Sequence, residues 1–229
     1  VWSRTWVEER GRPTFTTELE VERGRVSRLT VTVTDPLRRG LVWPQQLRVA
    51  LGYESEVREI ATYASEASVV VADAEGMPEP LFVLPNGAGL GYGLFILDRA
   101  SREYLLDHIE AIADPLTRGS AWVTLWDNVL ESYVDAGAFL DAAGRALAAE
   151  TDEQNLQRVL AYTIQAFWAH LAADERARRA PALETMLWAG VGRASTRSAK
   201  AAWFAAFRDL ALTPASLASI GRCGGGTIG

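Results

Sequence analysis

The chain has 229 residues, of which 48% are apolar and 23% charged, with a net charge of −6. That size and balance suit a soluble globular protein of one large domain or two small ones; the acidic excess excludes the basic footprint of non-specific nucleic-acid binding. The single cysteine, Cys223, excludes an intrachain disulfide and a cysteine-built zinc site, and no apolar run approaches the roughly 18–20 residues of a membrane span.

Residues 1–13 place Trp2, Trp6 and Val7 beside Glu8, Glu9 and Arg10 before Gly11-Arg12-Pro13. The pattern predicts the end of an amphipathic helix stopped by a Gly/Pro signal. A period of two follows. Phe15, Leu19 and Val21 alternate with Thr16, Glu18 and Glu20, and Arg23-Gly24-Arg25 supplies a turn. Leu29, Val31 and Val33 alternate with threonines until Asp35-Pro36, and Leu47, Val49, Leu51 and Tyr53 repeat the pattern. Short runs at Val69–Val71, Leu81–Leu84 and Leu94–Leu97 complete six or seven strands, which together predict an antiparallel β-sandwich.

From about residue 99 the period becomes 3.6. Asp114-Pro115 reads as an N-cap with proline at the first helical position. Trp122, Trp126, Val129 and Tyr133 fall on one face of the helix it opens. Asp135 caps a helix with Phe139, Ala143 and Leu147 inward, and Thr151-Asp152-Glu153-Gln154 reads as a capping box. It opens a helix carrying Leu156, Leu160, Thr163, Phe167 and Leu171. Pro181 lies early in the next helix, with Leu183, Met186 and Leu187; Ser195 opens another through Ala199, Trp203, Phe207 and Leu210, and Thr213-Pro214 starts one more. Alternate starts recur about every 40 residues, the interval of paired-helix solenoid repeats of the HEAT/armadillo kind.

The motifs of catalysis are missing. A hydrolytic zinc helix needs His-Glu-x-x-His, so that two imidazoles share one face. The only histidines, His108 and His170, are far apart and read as helix-surface or boundary residues. There is no Gly-x-Ser-x-Gly elbow, and Cys223 has only Arg222 beside it to favour a thiolate. Carboxylates cluster at Glu8-Glu9, Glu18/Glu20/Glu22, Asp127/Glu131 and Asp152-Glu153; Glu18, Glu20 and Glu22 read as a solvated strand face, and Asp127 with Glu131 as a solvent-facing pair, the lining of a groove being the lesser alternative. The glycines from Asn86 to Gly93 lie between two strands with Gly-x-Gly-x-Gly spacing, which predicts a turn with positive φ rather than a phosphate loop. Trp122, Trp126 and Tyr133 read as helix packing; a carbohydrate or peptide platform is the minor alternative.

Trp6-x-x-x-x-Gly11-x-Pro13 ahead of an amphipathic strand resembles the segment joining the catalytic domain to the small β-sandwich in the aminopeptidase N-like (M1 family) zinc peptidases. Asn86 through Asp98 resembles that family's Asn…Gly-Tyr-Tyr-Arg-Val-x-Tyr-Asp element, which closes the sandwich and leads into a C-terminal helical domain. Gly93, Leu94 and Leu97 replace its second tyrosine, arginine and third tyrosine. Asp114-Pro115-Leu116-x-Arg118 and Leu125-Trp126-Asp127-x-Val129-Leu130 resemble the first helices of that domain in a bacterial branch. The likeness runs over roughly residues 1–215. It implies a parent metallopeptidase that removes N-terminal residues from peptides with one zinc ion. The zinc ligands, general base and amine-binding glutamates would lie upstream, and none has a matching position here.

The resulting expectation is an α+β chain in two parts: a β-sandwich over 14–98 and an incomplete helical array over 99–222. They are flanked by a linker over 1–13 and a glycine-rich tail over 223–229. Catalytic, cofactor-binding and metal-ligating residues are expected to be none. Val1 in place of methionine, with no leader pattern, reads as a start inside a longer polypeptide. The expected partners are an upstream catalytic domain of the same polypeptide and the parent's peptide substrate, without nucleic acid or a membrane span. Solubility is expected and the compartment is left open, with the cytoplasm favoured. The alternative is a free-standing peptide- or protein-binding scaffold without activity.

Overall fold

The computed structural model describes residues 4–224, with side chains over 5–221. Val1, Trp2, the Cys223 side chain and the end of the glycine-rich tail lie outside the described residues. Two compact units divide the chain at Val1–Val134 and Asp135–Gly229. The change from strand to helix falls earlier, at Asp98, so two helices belong to the first unit.

In the first unit a π-helical turn, Arg4–Glu8, precedes seven strands. They are β1 (Thr14–Glu22), β2 (Arg25–Thr34), β3 (Gln45–Gly52), β4 (Val57–Ala64), β5 (Ser68–Val70), β6 (Phe82–Leu84) and β7 (Leu94–Ile96). Two helices follow, α1 (Arg99–His108) and α2 (Pro115–Leu130). The strands form one sheet in the order β5-β2-β1-β7 and another in the order β4-β3-β6. Both sheets feed one apolar core: Phe15, Leu29 and Val31 from the first meet Leu47, Val49 and Val83 from the second. Burying a side chain of that size contributes about 1.5–3 kcal/mol. The outward positions Glu18, Glu20 and Glu22 are exposed, as the alternation predicts.

β1 and β2 join through Arg23-Gly24, both at positive φ (53° and 72°), the conformation that matches a two-residue turn to the strand twist. The expectation of an antiparallel arrangement throughout needs one correction. β7 runs parallel to β1, pairing Thr14, Phe15 and Thr16 with Leu94, Phe95 and Ile96. The Phe15 and Phe95 rings stack there with centroids 4.8 Å apart. After β2, Asp35 accepts from the Leu37 and Arg39 amides and from the Arg39 guanidinium. Arg39 also donates to the Arg10 carbonyl at 2.7 Å, fastening the N-terminal segment.

The second unit contains α3 (Ala136–Ala146), α4 (Glu153–Gln165), α5 (Ala173–Arg193), α6 (Arg197–Leu210) and α7 (Pro214–Gly224), with a π-helical turn at Ala166–His170. Its interior takes Phe139, Ala143, Leu147, Leu160, Phe167, Leu187, Trp203 and Phe207, all buried. Asp98, Asp114 and Asp135 cap their helices through the amide three residues on, each typically contributing about 1 kcal/mol. Two expected caps move by one residue. Asp152, rather than Thr151, caps α4 through the Asn155 amide, and Thr196, rather than Ser195, caps α6 through Ala199. Pro181 is an interior residue of α5, because that helix already begins at Ala173.

Candidate functional site

The segment Asn86–Asp98 is fastened by side chains from β3 and α2 as well as its own. The Asn86 carboxamide spans the turn: its Oδ1 accepts from the Gly91 amide at 2.8 Å and its Nδ2 donates to the Gly91 carbonyl at 3.2 Å. Gln45, on β3, does the same for Tyr92, accepting from its amide at 2.7 Å and donating to its carbonyl at 2.9 Å. The Ser120 hydroxyl of α2 donates to the Asn86 carbonyl. The Gly87 amide donates to the Arg48 carbonyl at 2.7 Å.

The glycines in this turn are required for a different reason from the one expected. Only Gly89 has a positive φ, 67°. At Gly87 a Cβ would lie 2.6 Å from that of Ala50, at Gly91 it would lie 2.7 Å from Leu47, and at Gly93 it would overlap the Phe15 ring. Close approach of backbone to the core, not backbone conformation, excludes a side chain at these three positions.

From there the chain passes through β7 into α1. Asn128, on α2 and fully buried, acts as a short strand partner. Its Oδ1 accepts from the Leu97 amide at 3.1 Å, and its Nδ2 donates to the carbonyls of Phe95 (2.8 Å) and Thr124 (2.7 Å). Asp98 then caps α1 by accepting from the Ser101 amide at 2.9 Å and hydroxyl at 2.6 Å. The same hydroxyl accepts from the Val83 amide of β6 at 2.8 Å. Three carboxamides (Asn86, Gln45 and Asn128) and two serines (Ser101 and Ser120) therefore fix the passage from sheet to helix. Gln45 and Asn128 carry no pattern that periodicity detects; the terminal aspartate of the segment was the visible signal.

The other residues singled out in the sequence are scattered. His108 ends α1 and is exposed, its ring 4.9 Å from that of Tyr104. His170 lies in the second unit, at the end of the π-helical turn, and is also exposed. Among the described residues no group of three or more His, Cys, Asp or Glu is placed to hold a metal. No helix among them is long and apolar enough to cross a membrane.

Asp127 is not a solvated partner of Glu131. It is half-buried and pairs with Arg12 at 3.2 Å. Burial raises its pKa, against the opposing pull of Arg12. Glu9 pairs with Arg39 at 3.3 Å, Asp152 is the α4 cap, and Glu153 accepts from the Thr196 hydroxyl. Trp122 and Trp126 are buried, consistent with packing. Tyr133 departs from their face, because α2 ends at Leu130; it is 54% exposed with Arg102 over its ring.

The second unit holds one buried carboxylate that the sequence did not reveal. Glu184, on α5 and 3% exposed, accepts from the Leu212 and Thr213 amides at 2.6 and 2.8 Å and from the Thr213 and Ser216 hydroxyls. Burial alone would raise its pKa; these four hydrogen bonds outweigh it and hold the carboxyl below its ordinary value. It is an anchor for the start of α7.

Together these features define a mixed α/β chain in which the polar cluster at Asn86–Asp98 fastens backbone rather than presenting reactive groups. Comparison with protein-family models and with curated proteins finds no match.

Proposed function

We propose that the chain is the non-catalytic C-terminal region of an M1-type zinc aminopeptidase, supplying a β-sandwich spacer and the start of a helical cover that limits access to the active site. The observation carrying this reading is the Asn86–Asp98 segment. In the family that it resembles, the corresponding element closes the sandwich and delivers the chain into the helical domain. Here the same stretch runs from β6 through β7 to the aspartate that caps α1. The helices lend a second, weaker support. α3, α5 and α7 begin at Ala136, Ala173 and Pro214, and α4 and α6 at Glu153 and Arg197, intervals compatible with a two-helix repeat. Zinc and the residues that use it would be supplied by the upstream segment, so no catalytic role falls on a residue of this chain.

The test compares the chain alone with the chain joined to whatever its reading frame encodes upstream, using zinc and aminoacyl chromogenic substrates. The reading requires no turnover from the chain alone and zinc-dependent release of N-terminal residues from the joined form. Metal-dependent turnover by the chain alone would overturn it. So would an upstream frame without His-Glu-x-x-His, which would favour the free-standing scaffold.

A further inference from the structure

Within the first unit, a cleft of about 430 Å³ opens between the β3–β4 turn and the helices α1 and α2. One part of its lining is a row of rings. Phe82 stacks on Tyr104 with centroids 5.6 Å apart and an interplanar angle of 23°, and His108 follows 4.9 Å further on. Ile112 and Leu116 extend this apolar lining. The charged lining is of one sign. Glu54, Glu56, Glu59 and Asp114 contribute carboxylates, and no lysine or arginine lines the cleft.

Two of these carboxylates have work elsewhere. Glu56 accepts from Arg58 at 2.6 Å, and Asp114 accepts from the Thr117 amide at 2.7 Å to cap α2. Glu54 and Glu59 make no ion pair among the described residues. Stacked rings beside uncommitted carboxylates select a cation that is flat, delocalised and carried on an apolar stem. A guanidinium meets all three conditions. It stacks on aromatic faces, pairs with carboxylates through a two-pronged fork, and sheds water more readily than an ammonium.

We propose that this cleft binds an arginine side chain of a peptide, with the guanidinium between the Tyr104–His108 rings and the Glu54 and Glu59 carboxylates. The site lies wholly within the first unit and does not depend on the aminopeptidase reading. A binding scaffold and an aminopeptidase region would both carry it.

The test is a titration of the isotope-labelled chain, followed by amide chemical shifts, with capped Gly-Arg-Gly and with capped Gly-Lys-Gly and Gly-Glu-Gly as comparisons. Saturable shifts confined to residues 53–59 and 104–117 are expected with the arginine peptide. Lysine should bind about threefold more weakly, since it lacks the fork and the flat face, and glutamate should not bind. Replacing both free carboxylates, Glu54→Gln with Glu59→Gln, removes two exposed pairing partners and should weaken arginine binding roughly tenfold. Both positions are exposed, so the spectrum elsewhere should be unchanged. Shifts that do not saturate, equal shifts with the glutamate peptide, or undiminished affinity in the double variant would each overturn the proposal.

Discussion

Replacing Asn128 by alanine tests the claim that one carboxamide holds β7 in place. The native side chain is fully buried and satisfies the Leu97 amide and the Phe95 carbonyl, both on buried residues. The Thr124 carbonyl keeps its helical partner and loses little. Two orphaned buried groups at about 1–3 kcal/mol each, with a small void, put the loss near 3–4 kcal/mol. Asn128→Asp should be no milder: it keeps the acceptor for Leu97 but turns a carboxylate toward the Phe95 carbonyl in a buried setting. Because the chain holds two compact units, a single melting temperature is a poor measure. Hydrogen exchange at the Val26 and Val33 amides, which bond to Met77 and Ala67 and not to Asn128, reads the first unit, and a loss of about 3 kcal/mol accelerates it by roughly a hundredfold if exchange follows unfolding of that unit. Acceleration of less than about fivefold, corresponding to roughly 1 kcal/mol, would refute the role given to Asn128.

Two further predictions concern the second unit. The folded-state pKa of Glu184 lies below its ordinary 4.5, so its stabilising contribution is complete above that value and is lost as pH falls through the depressed native value. Urea unfolding of this unit between pH 7 and pH 3 should show a steeper acid loss for the native chain than for Glu184→Gln; parallel profiles would contradict the assignment. Two glycines two residues apart on α5, and so on nearly opposite faces, provide the other. A Cβ on Gly190 would fall inside the buried Trp203 indole, so Gly190→Ala should cost about 1–3 kcal/mol. Gly192 has open space around it, and Gly192→Ala should stabilise by up to about 1 kcal/mol. Paired denaturant titrations distinguish the two.

Elements whose signals are local were legible in the sequence. Asp114 followed by Pro115, and Asp135 ahead of a period of 3.6, mark helix starts because a cap acts only three residues away. The inward faces of β1 and β2 were legible because phenylalanine, leucine and valine recur there against threonine and glutamate outside, with Thr17 the one polar residue on the inward side of β1. β4 was overlooked for the converse reason. Its inward residues past Ile60 are Thr62 and Ala64, while the outward Tyr63 is aromatic, so the contrast that reveals a strand is nearly absent. The parallel pairing of β7 with β1 joins residues about eighty positions apart, and a three-residue strand carries no mark of its partner. The same limit hid Gln45, Asn128 and Glu184. Their meaning depends on which backbone groups arrive from elsewhere, and a polar residue within a pattern looks alike whether it faces water or fastens a turn.

The fastening of Asn86 also governs how the polypeptide ages. An asparagine followed by glycine is a thermolabile step, because the next backbone nitrogen can attack the side-chain carbonyl, close a five-membered imide and release ammonia. Here that nitrogen is engaged with the Arg48 carbonyl at 2.7 Å, and the Asn86 carboxamide is held at both ends by Gly91. Neither reactant is free to approach the other while the fold persists. Isoaspartate at position 86 would therefore accumulate mainly in molecules that had opened this region, making that one residue a record of the chain's excursions from the native state.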